Sequence, residues 1–389
     1  MNKILHLVFS DISKDTGFSQ RIRRQKEYIF SKLNVDLKTL NIVSNNEVEV
    51  LCEYENKLNK VGMKNVEVYQ MGGVKILKPI LALLKVLKKA RKCDTVYTET
   101  HISSIFWLVA SLVSSRKIKW VVDVHGVAPE ERYDNSSKSV LNKIKYGLNK
   151  LFEKRYLKKA KHIIVVSQNL KEHYVSEYSI APNKIIIVPN CIYATPNDVY
   201  ITEAESNKTA QLKERLAPTG EVLYIYAGGV GVYHKVDSIV KWFDEKVKGN
   251  SKLILLIPKS YKSVDTIESN ERVKIFQVDH SDVRAYLLAS DFGIIFRDDK
   301  LLNIVADPTK VPEYLAAGIR IIHTESVRTV PRNDSNICVG PFKNLSQLSS
   351  NCISKKINQS KTTCENVEYV KLKYSWSEYL PLYKEVFDV

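Results

Sequence analysis

Short apolar runs alternate with amphipathic or basic runs along nearly the whole chain, and few folds accommodate that pattern. Residues 3–9 form the first apolar run, followed by a loop at Asp15, Thr16 and Gly17 and a basic helix over 20–33. Strand-like runs follow at 36–42, 95–97, 119–124, 162–167 and 184–188. Helical patterns lie between them at 74–92, 102–113 and 140–160. Apolar strands buried on both faces, each followed by a helix, predict parallel sheets covered on both sides by crossover helices. The first run begins as a signal peptide does, but it lacks a long apolar core and a small-residue cleavage site, so it reads as a buried strand. No run reaches the roughly 18 apolar residues that a spanning helix needs.

The alternation breaks once. Residues 193–219 are polar and include Pro196 and Pro218, with a helix-compatible stretch at 203–216. A second alternating set follows, with strands at 221–226, 252–257, 273–278, 292–296, 320–323 and 336–339. A chain of 389 residues exceeds one ordinary core. The sequence therefore predicts a first domain over 1–192, a second over 193–370, and a terminal helix over 371–389 that returns to the first.

Lys and Arg number 59 against 43 Asp and Glu, a formal net charge of +16. Such a balance attracts an anion, whether a nucleotide-sugar, an anionic lipid surface or nucleic acid, or serves solubility alone. The basic helices at 20–33, 74–92 and 141–161 fit a first domain resting on an anionic membrane. Nucleic acid is disfavoured, because no recognition motif or aromatic-basic interleaving is present. The six cysteines are scattered and none forms a CxxC pair, which signals neither zinc nor redox chemistry and fits a reducing, cytoplasmic compartment.

Ligands of open α/β sheets bind beyond the carboxyl ends of the strands. After 221–226 come Gly228, Gly229 and Gly231, which permit a tight turn and close approach to a phosphate, then His234 and Lys235. An ordinary turn also uses glycine, and a loop lysine is usually solvated. After 292–296 comes Arg297, suited to a diphosphate or to a surface ion pair with Asp298 or Asp299. Asn303, suited to a hydroxyl, follows. In the segment from Asp307 to Gly318, Thr309 is expected to cap a helix whose first amides favour an anion. Lys310 adds charge, and Glu313 reads either as a capping residue or as an acceptor for ribose hydroxyls. In the first half, Gly17 follows the first strand. His125 follows another, as a sugar contact or a buried structural histidine. Tyr97, Glu99 and His101 are placed to line the same edge, and Glu130 and Glu131 are expected in a loop beyond.

These segments together resemble the GT-B glycosyltransferases, specifically family 4-like enzymes of bacterial surface-polysaccharide assembly. The most specific likeness runs from Phe292 through Arg297 and Asn303 to the stretch from Pro308 to Gly318. The run from Asp123 to Gly126 is similar to the family's histidine motif. The segments Val165 to Ser167 and Val188 to Asn190 are similar to its approach to the interdomain connection, and Tyr226 to Gly229 to the first turn of its nucleotide-binding domain. The resemblance implies an α/β architecture of two facing Rossmann-like domains. It implies an acceptor-binding N-terminal domain and a nucleotide-sugar-binding C-terminal one, with a sugar moved to a glycan or lipid-linked acceptor in capsule, O-antigen or lipopolysaccharide assembly. Retention of configuration and no required metal or cofactor belong to the same expectation. So do catalytic roles for His125, Arg297 and Lys310, and donor contacts from Gly17, Gly228, Gly229, Lys235, Asn303, Thr309, Val311 and Glu313.

Two positions depart from the family pattern. Val305 stands where many relatives carry a second carboxylate, and Gly229 and His234 stand where many carry Arg and Lys. Arg297 or Lys235 is the expected electrostatic substitute. Other readings are a non-hydrolysing nucleotide-sugar epimerase, which needs acid and base carboxylates not identified in the sequence, and a non-catalytic GT-B scaffold.

Overall fold

The computed structural model describes residues 2–13, 16–44, 51–63, 66–71, 77–259, 270–347, 349–350 and 364–389. The chain divides into two compact units. The first comprises Met1–Asn190 with Trp376–Val389, and the second Cys191–Ser375.

The first unit runs β1 (Asn2–Phe9), α1 (Gly17–Gln25), β2 (Val35–Ser44), α2 (Leu51–Lys60), β3 (Val66–Met71), α3 (Leu77–Ala90), β4 (Thr95–Glu99) and α4 (Thr100–Leu112). It continues through β5 (Lys119–Val124), α5 (Ala128–Asp134), α6 (Val140–Lys159), β6 (His162–Val165), α7 (Gln168–Tyr178) and β7 (Ile185–Ile187). The strands form one seven-stranded sheet in the order β3-β2-β1-β4-β5-β6-β7, and every pairing is parallel. That order reverses direction between β1 and β4, which opens a crevice at their carboxyl ends.

Several boundaries differ from the sequence reading. The helix expected over 20–33 starts at Gly17, where Thr16 accepts a hydrogen bond from the Ser19 amide, and changes at Lys26–Phe30 into a π-helical turn. Asp15 and residues 74–76 lie outside the described residues. The elements α2 and β3 were not foreseen: α2 buries Tyr54 and Leu58 in an otherwise polar sequence, and β3 is a half-covered edge strand. Glu130 and Glu131 lie on α5 rather than in a loop.

The second unit runs α8 (Glu203–Leu216), β8 (Val222–Ala227), α9 (Val236–Lys246), β9 (Ser251–Pro258), β10 (Val273–Val278), α10 (His280–Leu288) and β11 (Phe292–Ile295). Then come α11 (Leu301–Ile304), α12 (Lys310–Ala316), β12 (Arg320–His323), β13 (Ile337–Cys338) and α13 (Cys364–Lys373). Its sheet order is β10-β9-β8-β11-β12-β13, with the reversal between β8 and β11. Two apolar layers, one centred on Ile225, Tyr314 and Leu315 and the other on Tyr224, Phe243 and Phe292, cover its faces.

The chain re-enters the first unit with a 3-10 turn, Trp376–Tyr379, and α14 (Leu380–Phe387). Trp376, Tyr383, Val386 and Phe387 are buried there. Tyr383 and Phe387 pack on Phe30, and Phe387 meets Tyr97 edge-on. Among the described residues, no helix is long and apolar enough to cross a membrane.

Candidate functional site

Chemistry-bearing residues gather at the switch point of each unit, and each group is built by its own sheet.

In the first unit, Glu99 ends β4 and pairs in register with Asp123 of β5. His125 follows two residues later and shares Asp123's side of the strand by the two-residue repeat. His125 Nε2 lies 3.0 Å from Glu99 Oε2 and 3.2 Å from Asp123 Oδ1. These contacts are close in distance but poorly aligned, because neither His125 Nε2 nor Glu99 Oε2 completes a hydrogen bond of good geometry. The other Glu99 oxygen meets His6 Nε2 at 3.2 Å. From α1, Arg21 and Gln25 stand one turn apart on the same helix face and both reach Asp123, at 3.2–3.3 Å and 3.1 Å. Tyr97 donates to Asp123 at 2.6 Å. The guanidinium of Arg21 also donates to the Pro189 carbonyl at 2.8 Å and lies over the Trp376 ring.

Burial alone raises a carboxyl and lowers an imidazole, and here charge overrules it. Burial pushes Asp123 up, but Arg21 and His125 outweigh it and hold its carboxyl far below the ordinary range. Burial and Asp123 push Glu99 up, and the imidazoles of His125 and His6 beside it bring it down. Burial opposes the His125 charge, yet Asp123 and Glu99 raise its pKa. His125 is thus a partly exposed imidazole whose protonated form two carboxylates favour, tilted against Phe18. Glu99, Asp123 and His125 bring three ligand-type atoms within 4.8 Å of one another, a spacing a cation could use. Arg21 and the imidazoles of His6 and His125 contact the same carboxylates.

Tyr97 belongs to the network through Asp123 but is wholly buried. Other residues expected at this edge lie elsewhere. His101 turns into the helical layer, where its ring nitrogens lie 3.3 Å from the Tyr156 hydroxyl and 2.9 Å from the Asn149 side-chain oxygen. Burial lowers its pKa to about 4. Glu130 is tied to Lys150 at 2.8 Å. Gly17 is the first residue of α1.

In the second unit, β8 delivers the glycine turn and β11 delivers Arg297. Gly228 has φ +143°, and a Cβ there would lie 2.4 Å from Lys310 Nζ and 2.5 Å from Lys310 Cε. Glycine is required so that the lysine can lie along the turn. The ammonium of Lys310 stands 5.3 Å from the centre of the Tyr226 ring, and the Tyr226 hydroxyl donates to the Gly229 carbonyl at 2.6 Å. Arg297 is 7% exposed. Its guanidinium donates to the Tyr233 carbonyl at 2.6 Å and to His234 Nδ1 at 3.2 Å. Among the described residues, neither Lys310 nor Arg297 forms an ion pair. Arg297 is therefore not the surface partner of Asp298.

Burial, then the Arg297 charge, lowers Lys310 to about 7, with Glu313 pulling the other way. Burial, then Lys310 and Arg297, drives His234 down to about 2, so it is neutral and accepts from Arg297. Burial lowers Arg297 itself.

Tyr314 of α12 fixes the arrangement. Its hydroxyl accepts from the Ala227 amide at 2.8 Å, and its ring fills the space a Cβ on Gly293 would need. Asp307, just before the helix, accepts from the Tyr374 hydroxyl at 3.1 Å.

The remaining predicted residues are placed differently. Thr309 does not cap α12: its backbone is already helical and its side chain makes no capping bond. The helix opens instead with the Pro308 carbonyl accepting from the Val311 amide. The side chain of Val311 is in the core, as is Val305. Lys235 pairs with Asp298 at 3.0 Å, and Asn303 donates to the same Asp298, which leaves Arg297 and Lys310 as the uncompensated cations. Glu313 is partly exposed, with His280 Nε2 at 3.9 Å. Sequence reasoning passed over Arg21, Gln25 and His6. Arg21 and Gln25 carried one signal, a polar pair at helical spacing in an element just after the first strand.

The model of a family described as Glycosyltransferase Family 4 matches residues 45–195. No curated protein matches the sequence. Among solved structures, Anabaena HepE in complex with UDP-glucose is similar at TM-score 0.72 and 13% identity, over 100% of both chains. Sucrose-phosphate synthase from Thermosynechococcus elongatus is similar at 0.70 and 16%, also over 100% of both. The lipopolysaccharide outer core galactosyltransferase WaaB is similar at 0.68 and 12%, over 99% of both. The architecture is the α/β two-domain GT-B-like fold, with a terminal helix packed on the first unit.

Proposed function

We propose that this protein is a glycosyltransferase that takes a sugar from a nucleoside-diphosphate-sugar and passes it to a glycan or lipid-linked acceptor in surface-polysaccharide assembly. One observation carries the reading: two buried cations, Lys310 and Arg297, stand without a carboxylate at the switch point of the second sheet, against a glycine turn that requires glycine. Burying unpaired charge is costly, and an anionic ligand is the partner that offsets the cost. A diphosphate leaving group gains negative charge as the glycosidic bond breaks, so preorganised cations stabilise the transition state more than the bound donor.

Each residue then has a task. Lys310 and Arg297 hold and neutralise the diphosphate, and Arg297 supplies the charge that the first turn lacks at Gly229 and His234. Gly228 keeps the turn clear, Glu313 meets ribose hydroxyls, and His125, its protonated form favoured by Asp123 and Glu99, serves the transferred sugar. Cations already in place can stabilise the leaving diphosphate without a metal, and retention of configuration is part of the same proposal. Removal of divalent ions with EDTA is expected to leave turnover unchanged. The family match in the first unit and the GT-B-like fold support the reading, and UDP in the HepE complex makes UDP-sugars the first donors to try. The enzyme works peripherally at the cytoplasmic face of an anionic bilayer, where lipid-linked acceptors are met.

Thermal-shift screening against UDP-, GDP-, ADP- and CMP-sugars tests the proposal. One nucleotide class is expected to raise the melting temperature, with the shift lost in Lys310→Ala and reduced in Glu313→Ala. Absence of a shift across the panel would sink the donor assignment. Product analysis with and without acceptor separates transfer from epimerisation, since an epimerase converts its substrate alone.

A further inference from the structure

We propose that the outer face of α6 is the surface that enters the bilayer; this rests on the peripheral reading above and assigns it to one helix. Val140, Leu141, Ile144, Leu148 and Leu151 are each between 42% and 77% exposed. At 100° per residue they fall within an arc of about 100°, and at 1.5 Å per residue they run about 17 Å along the axis. The opposite face carries the buried Glu153, Tyr156 and Leu157, which fix α6 on the sheet. A stripe of large aliphatic residues turned to solvent gives the fold nothing. Soluble surfaces rarely leave such a row uncovered.

The chemistry around the stripe selects the occupant. Lys143 and Lys154 lie on one shoulder and Lys145 on the other, while Arg155, Lys158 and Lys159 close its carboxyl end. The helix has one acidic residue, Glu153, and it is buried. Aliphatic residues bounded by lysines fit an interfacial helix whose apolar face sits among acyl chains while the ammonium groups reach anionic headgroups. A second copy of the chain is a poor match, because the same basic shoulders would face each other on chains that each carry a net charge of +16. Helix α3, which like α6 packs on α4, also exposes Ile80, Leu81 and Leu84 among lysines.

Vesicle flotation with the full chain tests the assignment, using phosphatidylcholine vesicles with and without 30% phosphatidylglycerol. The unmodified protein is expected to float with anionic vesicles, less so at high salt. The pair Ile144→Asp with Leu148→Asp is expected to lower partitioning at least tenfold with an unchanged melting temperature. The pair Lys143→Glu with Lys154→Glu is expected to remove the preference for anionic vesicles. Flotation of the aspartate variant at the unmodified level overturns the α6 assignment while leaving peripheral binding intact. Failure of the unmodified protein to float overturns both. Sedimentation as a dimer that Ile144→Asp dissociates overturns the bilayer in favour of a second copy. Donor thermal shifts on the same preparations report independently on the transferase reading.

Discussion

Lys310 is a lysine whose charge the protein holds only loosely, at a pKa of about 7 set by burial and then by Arg297. An anion beside it favours the ammonium, so donor binding takes up a proton near neutral pH. The sign follows: affinity is full below pH 7 and declines as pH rises above it, by at most about tenfold per unit. Isothermal titration between pH 6 and 9 measures this, and Lys310→Gln is expected to flatten the profile. Loss of a hydrogen bond to a charged group typically costs about 1.5–3 kcal/mol, so the same variant is expected to bind about ten- to a hundredfold more weakly. Gly228→Ala reaches the same end by another route. Its Cβ would displace the Lys310 ammonium, so donor shifts are expected to vanish while the protein remains folded by circular dichroism. In the first unit, Glu153 accepts from the hydroxyls of Tyr178 at 2.6 Å and Tyr174 at 3.2 Å, and burial raises it to about 7. A carboxyl raised on folding binds more protons in the native state, so stability falls as pH rises from about 4.5 to 7. Glu153→Gln is expected to be stabilising at pH 8, by on the order of 3 kcal/mol, and nearly neutral at pH 4, as measured by urea unfolding.

At the scale of elements, the short helix α12 is fixed by one residue it does not contain. Gly293 of β11 lets Tyr314 lie flat on the strand and accept from the Ala227 amide at the edge of the glycine turn. Gly293→Ala forces that ring away, at an overpacking cost of about 1–3 kcal/mol. Chemical denaturation is expected to show the loss, and donor binding is expected to weaken with it because Lys310 begins the same helix. Much of this element was legible in the sequence, since glycines, Lys310 and Glu313 sit within short stretches after apolar strands. The cap at Thr309 was misread because a threonine before a helix is a local signal, whereas the turn at Pro308 decides the geometry. The network around Asp123 was less legible for a different reason. Arg21 lies 102 positions from Asp123 and His6 lies 93 from Glu99, so only the parallel register of β1, β4 and β5 brings them together. The elements α2 and β3 were missed because an edge strand and its helix bury too few apolar positions to set a clear period.

For the whole molecule, the alternation of apolar and amphipathic runs sufficed to indicate two parallel sheets, because parallel pairing demands a crossover helix after each strand. The first unit depends on residues from both ends of the chain. Trp376, Tyr383, Val386 and Phe387 are buried in it, at about 2 kcal/mol or more apiece. Together they rival the 5–15 kcal/mol that a domain typically has in hand. Truncation after Ser375 is expected to unfold or loosen the first unit while sparing the second, visible as selective proteolysis of residues before Asn190. The second unit is drawn from one uninterrupted stretch, Cys191–Ser375. A chain growing from its amino end completes the sequence of the second unit at Ser375 before it has added the helix that closes the first, so the half begun first is the half completed last.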